Sequence, residues 1–179
     1  MKNTIKHSLP NLLTFINLSL GIIALLFAIK NDLIQASLLV MVAALTDRFD
    51  GKVARMLDST SELGKELDSL SDLISFGVAP IIIAWKICFF DVTVVGYLLA
   101  VLFPIAGAYR LARYNVTTFD NVFSGVPITI AGAFLSIVNL YNSFSIEHHK
   151  YSNINTIVTG VIIVLLSYLM VSKIQIRKR

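Results

Sequence analysis

The sequence predicts an all-α integral membrane protein: a bundle of six transmembrane helices preceded by a short N-terminal interfacial segment. Apolar residues make up 56% of the 179 residues. Charged residues make up 15%, whereas soluble globular chains typically carry roughly 25%. Apolar runs of about twenty residues recur along the chain, and each is long enough to cross a hydrocarbon core of ~30 Å. A soluble helical protein would need polar outer faces, which most of these runs lack.

The helical spans follow one another with short polar loops between them. A basic lead-in, residues 1–9, is expected at the membrane surface. The six predicted spans cover approximately residues 10–30, 33–57, 61–88, 92–115, 125–145 and 153–172. Because the loops are short, consecutive helices should pack as antiparallel neighbours. No linker or shift in composition divides the chain, so we expect a single domain over residues 1–179.

The distribution of cations predicts the orientation of the bundle. Six spans place both termini on one side, together with the loops that follow spans two and four. Only Lys30, Lys86 and Lys150 fall on the other side, out of 15 Lys and Arg. The positive-inside rule therefore predicts a multi-pass protein of the cell membrane with both termini in the cytoplasm. No basic run with interleaved aromatic residues indicates a nucleic acid partner.

Four aspartates between residues 47 and 72 form the most informative feature of the sequence. Asp47 and Asp50 lie at helical spacing on span two, and Asp68 and Asp72 lie four residues apart on span three. The short connection between the spans should bring both pairs to the cytoplasmic face. Carboxylates in such a setting are costly and indicate a functional site by default. Their mutual repulsion is tolerable with cations between them or with shifted protonation.

An all-carboxylate donor set without His or Cys fits hard divalent cations, Mg²⁺ or Mn²⁺. Two such cations held by shared carboxylates would suit a phosphoryl-type displacement. A cation transport pathway is the alternative from a different class of protein. It predicts acids spread across the depth of the bilayer, whereas all four aspartates lie near one face.

Small residues accompany the aspartates. Gly51, Ala54 and Gly64 leave room for a flat or phosphorylated ligand to approach the helix backbone, and Arg55 offers a guanidinium fork for a phosphate. The competing interpretation of the glycines is close helix packing, which is common in membranes.

The spacing of these residues resembles the signature of the CDP-alcohol phosphotransferase family. The matching pattern is Asp47-x-x-Asp50-Gly51-x-x-Ala54-Arg55, eight residues, then Gly64-x-x-x-Asp68-x-x-x-Asp72. Members of this family move a phosphorus-bearing group from a CDP-alcohol to an acceptor hydroxyl and release CMP. The resemblance implies two divalent cations, one on Asp47, Asp50 and Asp68 and the other on Asp47, Asp68 and Asp72. It also implies that Asp72 is the general base.

The same resemblance implies the contacts to the CDP group. Gly51 and Arg55 occupy the family positions that touch it, and Ala54 and Gly64 belong to the same motif. Asn11 and Thr14, at the cytoplasmic end of the first span, are similar to family positions near the nucleotide. Ser61 is a further candidate of this kind.

Flanking blocks resemble the phosphatidylserine synthase branch of the family. They cover residues 10–17, 68–80, 110–115 and 125–127. This resemblance implies L-serine as acceptor, CDP-diacylglycerol or its archaeal ether equivalent as donor, and a homodimer among membrane lipids. Glycerol phosphate or inositol phosphate is the alternative acceptor within the family. A phosphorylated acceptor would call for more cations than Arg110 and Arg113, which could bind the carboxylate of serine or a donor phosphate, or could simply anchor the cytoplasmic end of span four.

Overall fold

The structure is a computed structural model of the chain. It describes the backbone of residues 2–56, 61–116, 123–172 and 175–176. It describes the side chains of residues 11–49, 61–92, 94–116 and 125–172.

Six helices make up nearly all of the described backbone, which confirms the predicted all-α bundle. They are α1 (Lys2–Ile29), α2 (Leu33–Met56), α3 (Glu62–Phe89), α4 (Thr93–Val116), α5 (Ile128–Glu147) and α6 (Asn153–Val171). Two-residue strands, β1 (Phe123–Ser124) and β2 (Gln175–Ile176), pair antiparallel. This pairing joins the segment before α5 to the segment after α6 at one end of the bundle.

The helix ends differ from the prediction at two places. Helix α1 begins at Lys2, so the N-terminal lead-in is helical and continuous with the first candidate span, Asn11–Ile29. Helix α5 begins at Ile128 and not near residue 125. Gly125 has a φ of +79° and Pro127 a ψ of 139°, and neither conformation is helical.

Five helices of the described part of the chain are long and apolar enough to cross a membrane, namely all except α2. The first half of α2 is apolar, but its second half carries the acidic motif. Large apolar side chains point outward around the bundle: Val94, Leu98 and Ile105 on α4 are 69%, 65% and 60% exposed. Such an outer surface suits lipid and would be unfavourable in water.

Small residues fill the contacts between helices. Ala24 and Ala28 on α1 and Ala36, Val40 and Ala43 on α2 are all fully buried. Small side chains let helix backbones approach closely, which is how membrane helices gain packing energy without a hydrophobic driving force. Helix α2 packs against α1 and α5 in this way, and α4 packs against α6.

Helix α3 is the centre of the bundle and contacts all five other helices. It contains two π-helical stretches, Leu73–Val78 and Trp85–Phe89. Neighbouring glycines allow close approach to the first of these: a Cβ atom on Gly132 of α5 would lie 2.7 Å from the Cα atom of Phe76. Single π turns within α-helices frequently occur at functional sites, and this one begins directly after Asp72.

At the end of the bundle opposite the acidic motif, uncharged polar side chains join α5 to α6. The Asn142 amide donates to Thr159 Oγ1 at 2.9 Å and accepts from Asn155 at 3.1 Å. Cys88 is buried beside this group, with its sulfur 3.5 Å from Asn142 Nδ2. An open cavity of about 790 Å³ lies next to it, lined among others by Lys86, Asp91 and Tyr151.

Candidate active site

Three of the four predicted aspartates meet at one end of the bundle. Carboxylate oxygens of Asp47 on α2 and of Asp68 and Asp72 on α3 all lie within 4.8 Å of one another. Asp72 is buried, at 8% exposure, while Asp47 and Asp68 are half-buried. The antiparallel packing of two consecutive helices creates this cluster. The fourth aspartate, Asp50, lies on the helical backbone of α2, but its side chain is outside the described residues.

The start of α3 sets the direction of its acidic face. Ser61 caps the helix, because its Oγ accepts a hydrogen bond from the Gly64 amide at 3.0 Å. Gly64, Asp68 and Asp72 then follow at intervals of four residues, which places them along one side of the helix. The capping hydrogen bond fixes the start of the helix, and the two aspartates follow about one and two turns beyond Gly64.

Three of the predicted nucleotide contacts also come together here. A Cβ atom on Gly64 would lie 3.0 Å from Ser61 Oγ and 3.2 Å from Asn11 Oδ1. Any larger side chain at position 64 would therefore displace both polar groups. Thr14, one turn further along α1, is buried. The predicted contacts Gly51, Ala54 and Arg55 lie on the backbone of α2, with side chains outside the described residues.

Helix α1 is fastened to α3 beside the aspartates. Ser71 Oγ donates to the Thr14 carbonyl at 3.1 Å, and Ser75 Oγ donates to the Asn17 carbonyl at 3.0 Å. The Asn17 side chain, which is fully buried, donates from Nδ2 to Asp72 Oδ1 at 3.4 Å. These contacts hold Asp72 against α1.

Sequence reasoning missed two residues that touch the aspartates. One is Asn17, and the other is Thr129 in the first turn of α5, which lies within hydrogen-bonding reach of Asp47. A signal for Asn17 was available: Thr14, Asn17 and Gly21 recur at intervals of three and four, which places them on one helix face. A polar residue on the small-residue face of an apolar helix is uncommon and therefore indicates a candidate site residue.

The two predicted arginines have different surroundings. Arg110 is buried, at 9% exposure, and is close enough to Asp72 for the two charges to interact. Its Nε atom is buried without a hydrogen-bond partner among the described residues. Arg113 instead donates from its two terminal nitrogens to the carbonyls of Val171 at 2.9 Å and Ser172 at 3.3 Å. These carbonyls end α6, where a cation is favoured by the helix dipole.

The donor set fits a divalent cation. Asp68 Oδ1 is buried and has no hydrogen-bond partner among the described residues. A buried carboxylate oxygen without a partner is costly unless a cation or another donor satisfies it. Hard oxygen ligands from three carboxylates match the preferences of Mg²⁺ and Mn²⁺. Asp47, Asp68 and Asp72 are therefore the residues that could hold such an ion.

A bundle of apolar helices with a carboxylate cluster at one end defines a multi-pass membrane protein with a polar site. Comparison with known proteins agrees with this. The model of the CDP-alcohol phosphatidyltransferase family matches residues 7–176. The chain therefore belongs to the CDP-alcohol phosphatidyltransferase family, whose members generally depend on divalent cations.

Proteins with similar sequences occur in bacteria and archaea. The CDP-diacylglycerol–serine O-phosphatidyltransferase of Helicobacter pylori is 37% identical over 93% of this chain and 70% of its own length. The protein of the same name from Bacillus subtilis is 33% identical over 93% of this chain and 88% of its own length. The archaetidylserine synthase of Methanothermobacter thermautotrophicus is 34% identical over 94% of this chain and 69% of its own length.

Proposed function

We propose that this protein transfers a phosphatidyl group from CDP-diacylglycerol, or the equivalent group from its ether-lipid analogue, to the hydroxyl of L-serine. The products are phosphatidylserine, or its ether counterpart, and CMP. The observation that carries the proposal is the meeting of Asp47, Asp68 and Asp72 from two helices within 4.8 Å. Family membership and the names of the similar proteins support the same reaction and the same acceptor.

Asp72 is the residue best suited to act as general base. A serine hydroxyl is a poor nucleophile near neutral pH and needs a base within hydrogen-bonding reach. In the proposed step the Asp72 carboxylate takes the hydroxyl proton as the serine oxygen bonds to the phosphorus that carries the lipid. The bond between that phosphorus and the pyrophosphate bridging oxygen breaks, and CMP leaves with this oxygen.

The remaining residues of the site bind and orient the two substrates. We propose that Asn11, Thr14, Ser61 and Gly64 line the nucleotide position, together with Gly51, Ala54 and Arg55. Asp47, Asp50 and Asp68 would hold one divalent cation, and Asp47, Asp68 and Asp72 a second. When bound, Mg²⁺ or Mn²⁺ neutralises the charge of the pyrophosphate.

Arg110 is the better placed of the two arginines for the serine carboxylate. It is buried and interacts with Asp72, so a carboxylate beside it would lie near the base. The Nε atom of Arg110 has no hydrogen-bond partner among the described residues, and a buried polar group without a partner is costly. The role of Arg113 as a substrate contact stays a prediction.

Measurement of CMP release tests the function directly. The purified full-length chain is incubated with CDP-diacylglycerol, Mn²⁺ or Mg²⁺, and one acceptor at a time: L-serine, glycerol 3-phosphate, inositol phosphate or none. We expect L-serine to stimulate CMP release most strongly. If the reaction with L-serine releases no more CMP than the reaction without an added acceptor, the proposed acceptor is wrong. Stimulation by a phosphorylated acceptor would favour the alternative within the family.

Replacement of Asp72 by Asn tests the base. The amide cannot accept the hydroxyl proton, and general base catalysis typically contributes 10²–10⁴ in rate. We expect Asp72→Asn to lower serine-dependent CMP release by ~100-fold or more while CDP-diacylglycerol still binds. Asp91→Asn, an exposed aspartate at the opposite end, is the matched control and should keep normal turnover. Near-normal turnover by Asp72→Asn would rule out the base assignment.

We also propose a cellular arrangement. The chain forms a single domain, both termini and the active site face the cytoplasm, and two copies associate as a homodimer. The excess of cations at the end that carries the aspartates supports the orientation, and the family resemblance supports the dimer.

A further inference from the structure

The amide of Asn17 is buried in an otherwise apolar part of α1, where a polar group is costly unless it is hydrogen-bonded. Asn17 has no exposed surface, and its Nδ2 lies 3.4 Å from Asp72 Oδ1. An ionised carboxylate accepts hydrogen bonds and cannot donate them, so the NH₂ side of the amide must face Asp72. The side-chain oxygen Oδ1 of Asn17 then points away from Asp72 and has no partner among the described residues. Among the described residues, Asp72 is the group that sets the orientation of the amide.

The backbone around Asn17 has little freedom to move relative to Asp72. Two serines of α3, at positions 71 and 75, donate to the carbonyls of Thr14 and Asn17. One turn further along α1, a Cβ atom on Gly21 would lie 2.8 Å from the Cα atom of Ser75. The two helices are therefore in contact on both sides of the amide–carboxylate pair, through the Ser71 side chain on one side and by close backbone approach at Gly21 on the other. A side chain held this way can fix the rotamer of the carboxylate that it touches.

We propose that Asn17 is a positioning residue that orients the Asp72 carboxylate toward the divalent cation. The inference rests on the proposed function, because it requires the cation site on the aspartates. Residues that hydrogen-bond to metal ligands fix their direction, and their loss typically weakens metal affinity by 10–100-fold. Asn17 donates to one oxygen of Asp72 and so limits the directions in which the carboxylate can face. Simple packing of α1 against α3 would not require a buried amide at this position.

The test measures Mn²⁺ binding to the purified full-length chain without substrates, from the electron paramagnetic resonance signal of free Mn²⁺. Asn17→Leu keeps a branched side chain and removes the donor. We expect it to weaken Mn²⁺ binding by about tenfold or more. The matched control is Asn139→Leu on α5. Asn139 is also fully buried and also has an unpartnered Oδ1, but its Nδ2 donates to the Pro80 carbonyl at 2.8 Å, about two turns beyond Asp72.

The outcomes separate this inference from the function on which it rests. If the unaltered protein binds no Mn²⁺, the proposed cation site fails together with the inference. If the unaltered protein binds Mn²⁺ and Asn17→Leu binds it equally well, only the role of Asn17 is overturned. An equal loss in Asn17→Leu and Asn139→Leu would also overturn it, since the loss would then follow from packing. Should Asn17→Leu fail to fold, Asn17→Ala and Asn139→Ala give the same comparison.

Discussion

Arg110 and Arg113 lie one helical turn apart on α4, yet their guanidinium groups have different partners. Arg110 is buried and interacts electrostatically with Asp72. Arg113 caps the end of α6 through two carbonyls and lies with its Cζ atom 5.7 Å from the centre of the Tyr109 ring. The first arrangement suits a bound anion, and the second stabilises a helix end. Two neighbouring cations can therefore differ in their contribution to activity and to stability.

Substitution of each arginine by Met separates these contributions. Hydrogen bonds to charged groups contribute about 1.5–3 kcal/mol, so we expect Arg110→Met to raise the KM for L-serine by about tenfold or more. Arg113→Met should change this KM much less and should lower the thermal unfolding midpoint. CMP release at varied serine concentration and thermal unfolding in detergent measure the two effects. An equal rise in KM for both variants would contradict the distinction.

At the scale of the elements, the first π-helical stretch of α3 depends on the absence of side chains opposite it. Gly132 of α5 faces the backbone of Phe76, so an added methyl group must push the two helices apart. Overpacking of this kind typically costs about 1–3 kcal/mol. The stretch also begins at the residue after Asp72, so separation of α3 and α5 would disturb the proposed base. Packing and catalysis are thereby coupled at this position.

We expect Gly132→Ala to lower both the unfolding midpoint and the rate of CMP release. Gly160→Ala is the matched control on α6, because a Cβ atom there would lie 3.6 Å from its nearest neighbour, an ordinary contact. This control should keep full activity, and its stability should rise slightly because Ala favours helix over Gly by about 1 kcal/mol. Thermal unfolding of both variants decides the point. Unchanged stability of Gly132→Ala would show that the helices can separate without cost.

At the scale of the whole molecule, the bundle has two chemically distinct ends. One carries the aspartates, the arginines of α4 and the β1–β2 pair. The other carries a turn at Asn31, the Asn142 hydrogen-bond network and the open cavity. The uneven distribution of cations between these ends is what predicts the orientation in the membrane.

Labelling of single cysteines tests that orientation. Cys88 is buried and is first replaced by Ala. Asp91 and Glu62 are exposed at opposite ends of α3 and are changed to Cys one at a time. We expect a membrane-impermeant maleimide to label Asp91→Cys in intact cells and Glu62→Cys only after permeabilisation. The reverse pattern would place the aspartates outside the cell and contradict the proposed localisation.

Much of this architecture could be predicted from the sequence because its causes are local. Apolar runs between short polar loops predicted the six helices, and residue spacing predicted that Asp47, Asp68 and Asp72 would meet. The start of α5 was predicted three residues early, since the extended backbone at Pro127 is not visible in a hydropathy pattern.

Other features could not be predicted because they depend on contacts between distant helices. The π-helical stretches of α3 have no composition signal, and their geometry depends on glycines in other helices. The contacts of Asn17 and Thr129 with the aspartates follow from the rotation of α1 and α5 about their axes. Residue spacing identifies one face of a helix, but it does not say which neighbour that face will meet.

The distribution of the site over five helices has a consequence for biosynthesis. Asp47, Asp68 and Asp72 are translated before Arg110 on α4 and Thr129 on α5 exist. While α4 is still within the ribosome, Asp72 lacks its interaction with Arg110. The position of the three carboxylates toward one end of the bundle keeps them near the hydrated membrane surface during this interval. The site is complete only when the later helices have inserted, so a chain truncated before α4 should be inert toward the lipid donor.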